Sequence, residues 1–588
     1  MWRAGLSILA GGLLALCYEP FGQAWLVWVV FLLLFPVLWS LPEKKRGRRG
    51  FWLGYLAGLV FWLINVKWIW TVAGLGALGI AAYLAVYFGL FGAFAARAGN
   101  PCLAKSEKTA RGILGRFSEA RRSLGYAVVL GFFWCGLEWV RGWMLTGFGW
   151  NGLGVTFADS LILAQSAEWV GVTGLSFLPV FFSAVMVQVG RRFVQQGGGG
   201  VRILQWDLAV SLALVALLML VGALRMGSLR STKMRGVRVL LVQQNIPQFA
   251  SKVAWDMDRV YQGYEDLTVS ALKEIREESL KKLELAEGKS GDKVTEVLAQ
   301  PDWIIWPEAA LMEWIPVADG EFGIGKMTDL LLESVQKESA ATLLLGAYEM
   351  EAKKEGEYLF PLENGKVWNS LMAVSADREI SSYYKRHLVL FGETLPDIPL
   401  LRWLYKVGSG VDYVGNFEPG KSDEPLPIQT RGKTLSVIPS VCFEDTVPRL
   451  TRQFVRPEAQ AIVNITNDGW FLKSEAAAQH FNNARFRAIE LRRPMVRCAN
   501  TGVSGVVSVT GSTVDPYSGE DRRLLDANGN HFTRGWLFAS MWVPENPVTT
   551  LYARFGDWFS AFGLILAVVW WGVSKRPKKL TQDGTDHA

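Results

Sequence analysis

Histidine and cysteine are scarce in this chain, with four and five among 588 residues. Cys17, Cys102 and Cys135 lie in apolar stretches, Cys442 and Cys498 in a polar one, and no paired spacing connects them. Neither a zinc site nor a disulfide framework follows. His531 and His587 have no helpful neighbours, so a histidine-ligated metal centre or a Ser-His-Asp triad has little to build on. No metal or cofactor is expected. A cleavable leader is not expected either, because only Arg3 precedes the first apolar stretch, which runs on into further ones. What abounds is apolar surface: 50% of residues are hydrophobic and 26 are Trp, yet 20% are charged. That balance is too apolar for a soluble protein and too charged for a purely membranous one.

A spanning helix needs about 20 largely apolar residues. Stretches near 51 to 70, 75 to 96, 123 to 143, 164 to 189, 207 to 226 and 552 to 573 qualify. Residues 5 to 41 are interrupted by Glu19, Pro20 and Gly22 and read as two short spans joined by a turn. Basic residues cluster at Lys44, Lys45, Arg46, Arg48 and Arg49, from Arg97 to Arg122, at Arg191, Arg192 and Arg202, and at Lys575, Arg576, Lys578 and Lys579. Every second loop is therefore basic, which explains the net charge of +7 by topology and leaves no need for a nucleic-acid partner. The expected organisation is a seven-span helical domain over 1-229, an extracytoplasmic domain over 230-548, and a last span with a cytoplasmic tail over 549-588. Arg225 to Arg238 object locally, but long translocated domains are weakly bound by the charge rule.

Within the polar region, strand-like runs fall at Val237 to Val242, Trp303 to Trp306, Thr342 to Ala347, Leu371 to Val374, Leu435 to Val441, Ala461 to Ile465, Val503 to Val509 and Leu537 to Val543. Helical periodicity covers Asp258 to Glu284, Met327 to Glu338 and Ala476 to Arg493. The alternation predicts a layered α/β domain. The charged stretch from Lys273 to Lys289 reads as a solvated helix face.

Cys442 follows the run Leu435, Val437, Ile438 and Val441, and two similar runs end at or just before Glu308 and Lys385. A thiol, a carboxylate and an ammonium are thus expected together at the ends of neighbouring strands. Cysteine attacks as a thiolate, and only a few per cent is ionised at neutral pH unless a neighbour takes the proton. Glu308, in the apolar setting Trp306-Pro307-Glu308, has the character of a general base with a raised pKa, and Lys385 that of a donor to an oxyanion. On residue type alone blander readings compete: buried thiols are commonly inert, strand-end carboxylates often cap, and lysines usually face solvent.

Longer motifs surround these residues: Trp306-Pro307-Glu308, Tyr384-Lys385-Arg386-His387-Leu388 running to Phe391-Gly392-Glu393, and Cys442-Phe443-Glu444. Arg141-Gly142-Trp143, Leu145 to Phe148, Gln244 to Gln248, Asn467 to Phe471, Gln479-His480-Phe481 and Arg485 to Pro494 accompany them. Together they resemble the nitrilase superfamily, and more closely its membrane branch, the apolipoprotein N-acyltransferases, over nearly the whole chain. The resemblance implies a multi-span helical domain carrying an α-β-β-α sandwich, with Glu308 as base, Lys385 as oxyanion partner and Cys442 as nucleophile. Glu393 and Glu444 match further acidic positions, and Trp255 matches a pocket tryptophan after an unusually long preceding stretch. Phe443 departs from the tyrosine usual in the family.

The resemblance further implies a ping-pong acyl transfer, from a membrane phospholipid to the α-amino group of a diacylglyceryl-cysteine on an apolipoprotein. It implies a monomer in a bacterial inner membrane with the catalytic domain facing the periplasm. Physics favours transfer over hydrolysis there, because a thioester against lipid meets little water while a lipid-anchored amine is concentrated in the same plane. Leu395 to Tyr405, with Pro396, Pro399, Trp403 and Tyr405, reads equally as a lipid-facing gate or a packed loop. Arg141 is a candidate for lipid headgroup contact, Glu138 and Arg141 for a pair across one helical turn, and His387 and His480 for pocket lining. Two rival readings are a membrane-tethered amidase that hydrolyses small amides and a non-catalytic transporter or receptor.

Overall fold

The computed structural model describes all residues except 104–112, 196–204, 248–255, 291–298, 396, 410–414, 416 and 575–588. Trp255, Gln248, Pro396, part of the Arg97 to Arg122 cluster, Arg202 and the basic group from Lys575 to Lys579 lie outside the described residues.

The N-terminal part is helical. Helices Trp2–Ala15 and Val27–Trp39 flank the expected turn at Glu19 and Pro20, followed by Arg46–Asn65, Gly76–Ala96, Ile113–Arg141, Phe177–Gln195 and Trp206–Arg230. Among the described residues four helices are long and apolar enough to cross a membrane, or five if Arg46–Asn65 and the bent continuation Lys67–Ala73 count as one span. Trp2–Ala15, Ala24–Trp39 and Trp558–Ser574 are shorter apolar helices. The stretch expected as one span over 164 to 189 is broken instead into Ala167–Leu175 and Phe177–Gln195. Gly171 adopts φ +71 inside the first piece, where the Tyr552 ring packs so closely that a side chain could not fit. Helices Arg46–Asn65 and Gly76–Ala96 pack through facing glycines: a Cβ on Gly54 would overlap the Phe88 carbonyl, and one on Gly92 that of Gly50. Small residues permit such approach where lipid offers no hydrophobic drive between helices.

The polar part is the expected α-β-β-α sandwich. A nine-stranded sheet runs in the order Gly535–Pro544, Met234–Gln243, Trp303–Ile305, Thr342–Glu355, Ile315–Ala318 and Glu321–Phe322, with Tyr358–Pro361 and Val367–Val374 also on Thr342–Glu355 and Ile380–Tyr384 beyond. A five-stranded sheet orders Gly505–Val507, Met495–Ala499, Gln460–Thr466, Lys433–Val441 and Leu426–Thr430. Period-two alternation builds both layers of core: Val237, Val239 and Leu241 face the second sheet, while Leu240 and Val242 face helices Met257–Ser290 and Lys326–Glu338. Helix Ala476–Leu491 covers the second sheet and is buried on both sides, with Phe481, Ala484 and Ala488 in the sandwich core and Ala476, Phe486 and Ile489 in the membrane-helix core.

Candidate active site

Each expected reactive side chain leaves a strand end: Glu308 after Trp303–Ile305, Lys385 after Ile380–Tyr384 and Cys442 after Lys433–Val441. The strands are not the expected neighbours. The first two belong to the nine-stranded sheet and are separated there, and the third belongs to the five-stranded sheet, so the three groups converge across the sandwich.

Cys442 sits at φ +55, a left-handed conformation that costs a side-chain-bearing residue on the order of 1–3 kcal/mol. Its turn is held from several sides. Glu444 Oε2 accepts from the Val441 N–H at 2.9 Å, Asn464 Nδ2 donates to the Cys442 carbonyl at 3.1 Å, and Thr446 Oγ1 donates to the Phe443 carbonyl at 2.7 Å. Glu308 stands on an equally tight bend, with Ala309 at φ +54. Gly346 on the adjoining strand permits it, since a Cβ there would lie 2.6 Å from Glu308 Cα.

Around these turns four polar side chains interlock. Lys385 Nζ lies 2.8 Å from Glu393 Oε1 and 3.6 Å from Glu308 Oε1. Asn369 Nδ2 donates to the same two oxygens, at 2.8 Å each, and Glu393 Oε2 accepts the Val389 N–H at 2.9 Å. Glu308 Oε2 is buried with no hydrogen-bond partner among the described residues, and the nearby Cys442 thiol pulls this carboxyl's pKa slightly down. Burial raises the Glu308 carboxyl above its ordinary range, against the pull of Lys385 and with the push of Glu393. Burial alone would lower the Lys385 ammonium, but Glu393, Cys442 and Glu308 outweigh it and hold it well above its ordinary value. Burial would raise Glu393 too, yet the Lys385 cation and its hydrogen bonds bring it below the usual range. The Cys442 thiol is pushed well up, first by burial and then by Glu308. The cluster thus contains a protonated thiol, a fixed cation with its own counter-ion, and a second carboxyl of increased basicity.

Glu444 acts on backbone, away from the lysine. It accepts the N–H groups of Arg386 at 2.7 Å and His387 at 2.9 Å and the Tyr383 hydroxyl at 3.0 Å, which ties the Lys385 and Cys442 segments together. Phe443 is half-buried between parallel rings, 6.0 Å from Trp150 and 6.0 Å from His387. His387 is half-buried, and desolvation with the nearby Arg449 and Lys385 cations lowers its pKa to about 4, so it is a neutral wall. Trp403 and Tyr405 lie on a short helix, Pro399–Ser409, where a loop is expected, with Trp403 exposed.

Arg141 is buried, with Nη1 on the Trp150 carbonyl at 2.8 Å and its guanidinium over the Trp62 ring at 4.9 Å. The expected direct pair with Glu138 does not form. Glu138 spends its oxygens on Trp134 Nε1, Ser176 Oγ and the Leu153 N–H. Asn369, Trp150, Asp445 and Arg497 escape motif reading, the last two within a buried group in which His480, expected as a pocket-lining residue, bridges Asp468 at 2.7 Å and Asp445 at 2.8 Å, with Arg497 beside both carboxylates. Of the four that escape, Asp445 alone offers a clue, through its place three residues after Cys442. Among the described residues no group of His, Cys, Asp and Glu could hold a metal ion.

Two family models match the chain: the apolipoprotein N-acyltransferase N-terminal domain over residues 10–185 and carbon-nitrogen hydrolase over 239–525. Apolipoprotein N-acyltransferase of Geobacter metallireducens is 30% identical over 519 residues, covering 86% of this chain and 85% of that one. Those of Rhodopseudomonas palustris and Rickettsia prowazekii are 28% and 26% identical, covering 98% and 96% of this chain and 96% of each relative.

Proposed function

The chain belongs to the apolipoprotein N-acyltransferase family, and from that we propose that Cys442 carries a fatty acyl chain from a membrane phospholipid to the α-amino group of a lipoprotein's N-terminal diacylglyceryl-cysteine. In the first half-reaction Glu308 takes the thiol proton, the sulfur attacks the ester carbonyl, and the oxyanion develops beside Lys385. The C–O bond breaks as C–S forms, and Glu308 returns its proton to the departing lysophospholipid. In the second, the acceptor amine attacks the thioester, Glu308 takes the amine proton, C–N forms, and the sulfur leaves and is reprotonated.

What supports this reading is the shell around the thiol. A thiol raised by burial needs a base at hand, and Glu308 is a buried carboxyl whose proton affinity is raised while Lys385 is neutralised by a different carboxylate, Glu393. Glu393 and Glu444 position the lysine and the two turns, and the Phe443 ring serves as a packing wall in which no hydroxyl is used. We place the enzyme as a monomer in the bacterial inner membrane, with residues 230-548 on the periplasmic side.

Incubating the purified protein with phospholipid alone and weighing it intact should reveal one acyl adduct on Cys442, discharged by a synthetic diacylated lipopeptide. Cys442→Ala should abolish adduct and transfer while leaving the fold intact. Full transfer by that variant would refute the nucleophile, and release of free fatty acid in place of transfer would favour the amidase reading.

A further inference from the structure

We propose that Asn369 is a positioning residue that keeps Glu308 available as a base beside a second carboxylate. The inference rests on the thioester chemistry proposed above. Asn369 is 2% exposed, and its two amide hydrogens go to Glu308 Oε1 and Glu393 Oε1, both at 2.8 Å. Carboxylate oxygens only accept, so these contacts fix which end of the amide is NH2. The price of that orientation is visible at the other end, where Oδ1 is buried with no partner. The same residue's carbonyl accepts the Lys385 N–H at 2.8 Å, so among the described residues Asn369 alone is bonded to the base, to the lysine's counter-ion and to the lysine's own backbone.

The electrostatics say what the amide does. Both Oε1 atoms lie within 4 Å of Lys385 Nζ, but Glu393 has the closer contact, at 2.8 Å against 3.6 Å. One ammonium therefore neutralises mainly Glu393. Glu308 is left buried near a like charge, a setting that by itself drives a carboxyl to remain protonated and unable to accept the thiol proton. The amide supplies the dipole that opposes this. The other charged or titratable groups facing the pair are Lys385, Cys442, Tyr348 and, through Lys385 and Glu393, His387. None of these donates to Glu308 Oε1 at comparable distance.

The test is single-turnover thioester formation from phospholipid micelles across pH, followed by intact mass, for the wild type and Asn369→Ala. Losing a hydrogen bond to a charged group should displace the acid limb upward by about one to two pH units, with the rate recovered at high pH. The KM for phospholipid should change by less than about twofold, because the amide does not bind lipid. Adding Glu393→Gln to Asn369→Ala should bring the limb back down, since the charge the amide opposes is then gone. Asn369→Asp keeps the shape should the alanine variant not fold, and its added charge should move the limb up as well. An unmoved limb, or a rate reduced equally at every pH, would overturn the inference while leaving the thioester reading intact; a wild type that forms no thioester would instead defeat that reading.

Discussion

His480 illustrates how much one residue can decide when both ends of its ring are committed. Nδ1 and Nε2 each face a carboxylate oxygen, of Asp468 and Asp445, and a carboxylate can only accept. Both nitrogens therefore carry protons, although Arg497 Nη2 lies 2.9 Å from Nδ1 and takes back part of the gain. Burial alone would lower this pKa, but Asp445 and Asp468 raise it to about 9. The sign follows by linkage: a histidine whose folded pKa lies above its unfolded value stabilises fully below about 6.5 and loses that contribution as pH rises through about 9. The interval corresponds to about 3 kcal/mol. The stability gap between wild type and His480→Gln, measured by thermal unfolding in detergent, should thus be large at pH 6 and shrink as pH passes 9. A gap independent of pH would mean that the ring is neutral and merely packed.

Elements were legible from sequence in proportion to how local their cause is. Eight strand expectations fall on strands, because Val237 to Val242 or Leu435 to Val441 declare themselves by apolar runs, though Val503 to Val509 shrinks to Gly505–Val507. Met495–Ala499 was hidden because Arg497 sits in its middle, fully buried, and is tolerated only through Asp445 and Asp468, 52 and 29 residues away. Glu308, Lys385 and Cys442 were legible from motif context; Asn369 was not, since its partners lie 61 and 24 residues off in sequence. Helix Ala476–Leu491 was expected from its periodicity, but not its role as the joint between the two parts of the molecule. Its Gln479 accepts from the Trp68 and Trp150 indoles at 3.1 and 3.0 Å and donates to the Glu19 and Asn65 carbonyls at 2.8 and 3.1 Å. Gln479→Leu strands several buried polar groups and should cost at least about 3 kcal/mol. Because Trp150 stacks on Phe443, next to Cys442, thioester formation should slow as well. A variant that melts and acylates like the wild type would show that this joint transmits nothing to the Cys442 turn.

At the scale of the whole molecule the governing force is the difference between lipid and water as surroundings. The most apolar stretch of helix Trp206–Arg230 has mean hydropathy 2.4 with only 17% of it buried, and the helix exposes Leu212, Leu217, Leu220 and Leu224. Such a surface is stable only against hydrocarbon. The polar sandwich begins directly after this helix, at Met234, and its last strand ends at Pro544, shortly before the apolar helix Trp558–Ser574. A domain tethered by apolar helices at both ends would lie at the bilayer surface, and the function proposed above puts it on the extracytoplasmic side. Single cysteines at exposed Ser422 in the sandwich and at exposed Lys44 in the first basic loop discriminate the two orientations, in a chain with Cys102 and Cys442 changed to serine. In intact spheroplasts a membrane-impermeant maleimide should label Ser422→Cys at once and Lys44→Cys only after permeabilisation. The reverse pattern would put the thiol in the cytosol, on the wrong side for a translocated lipoprotein amine, and would remove the acceptor from the reaction.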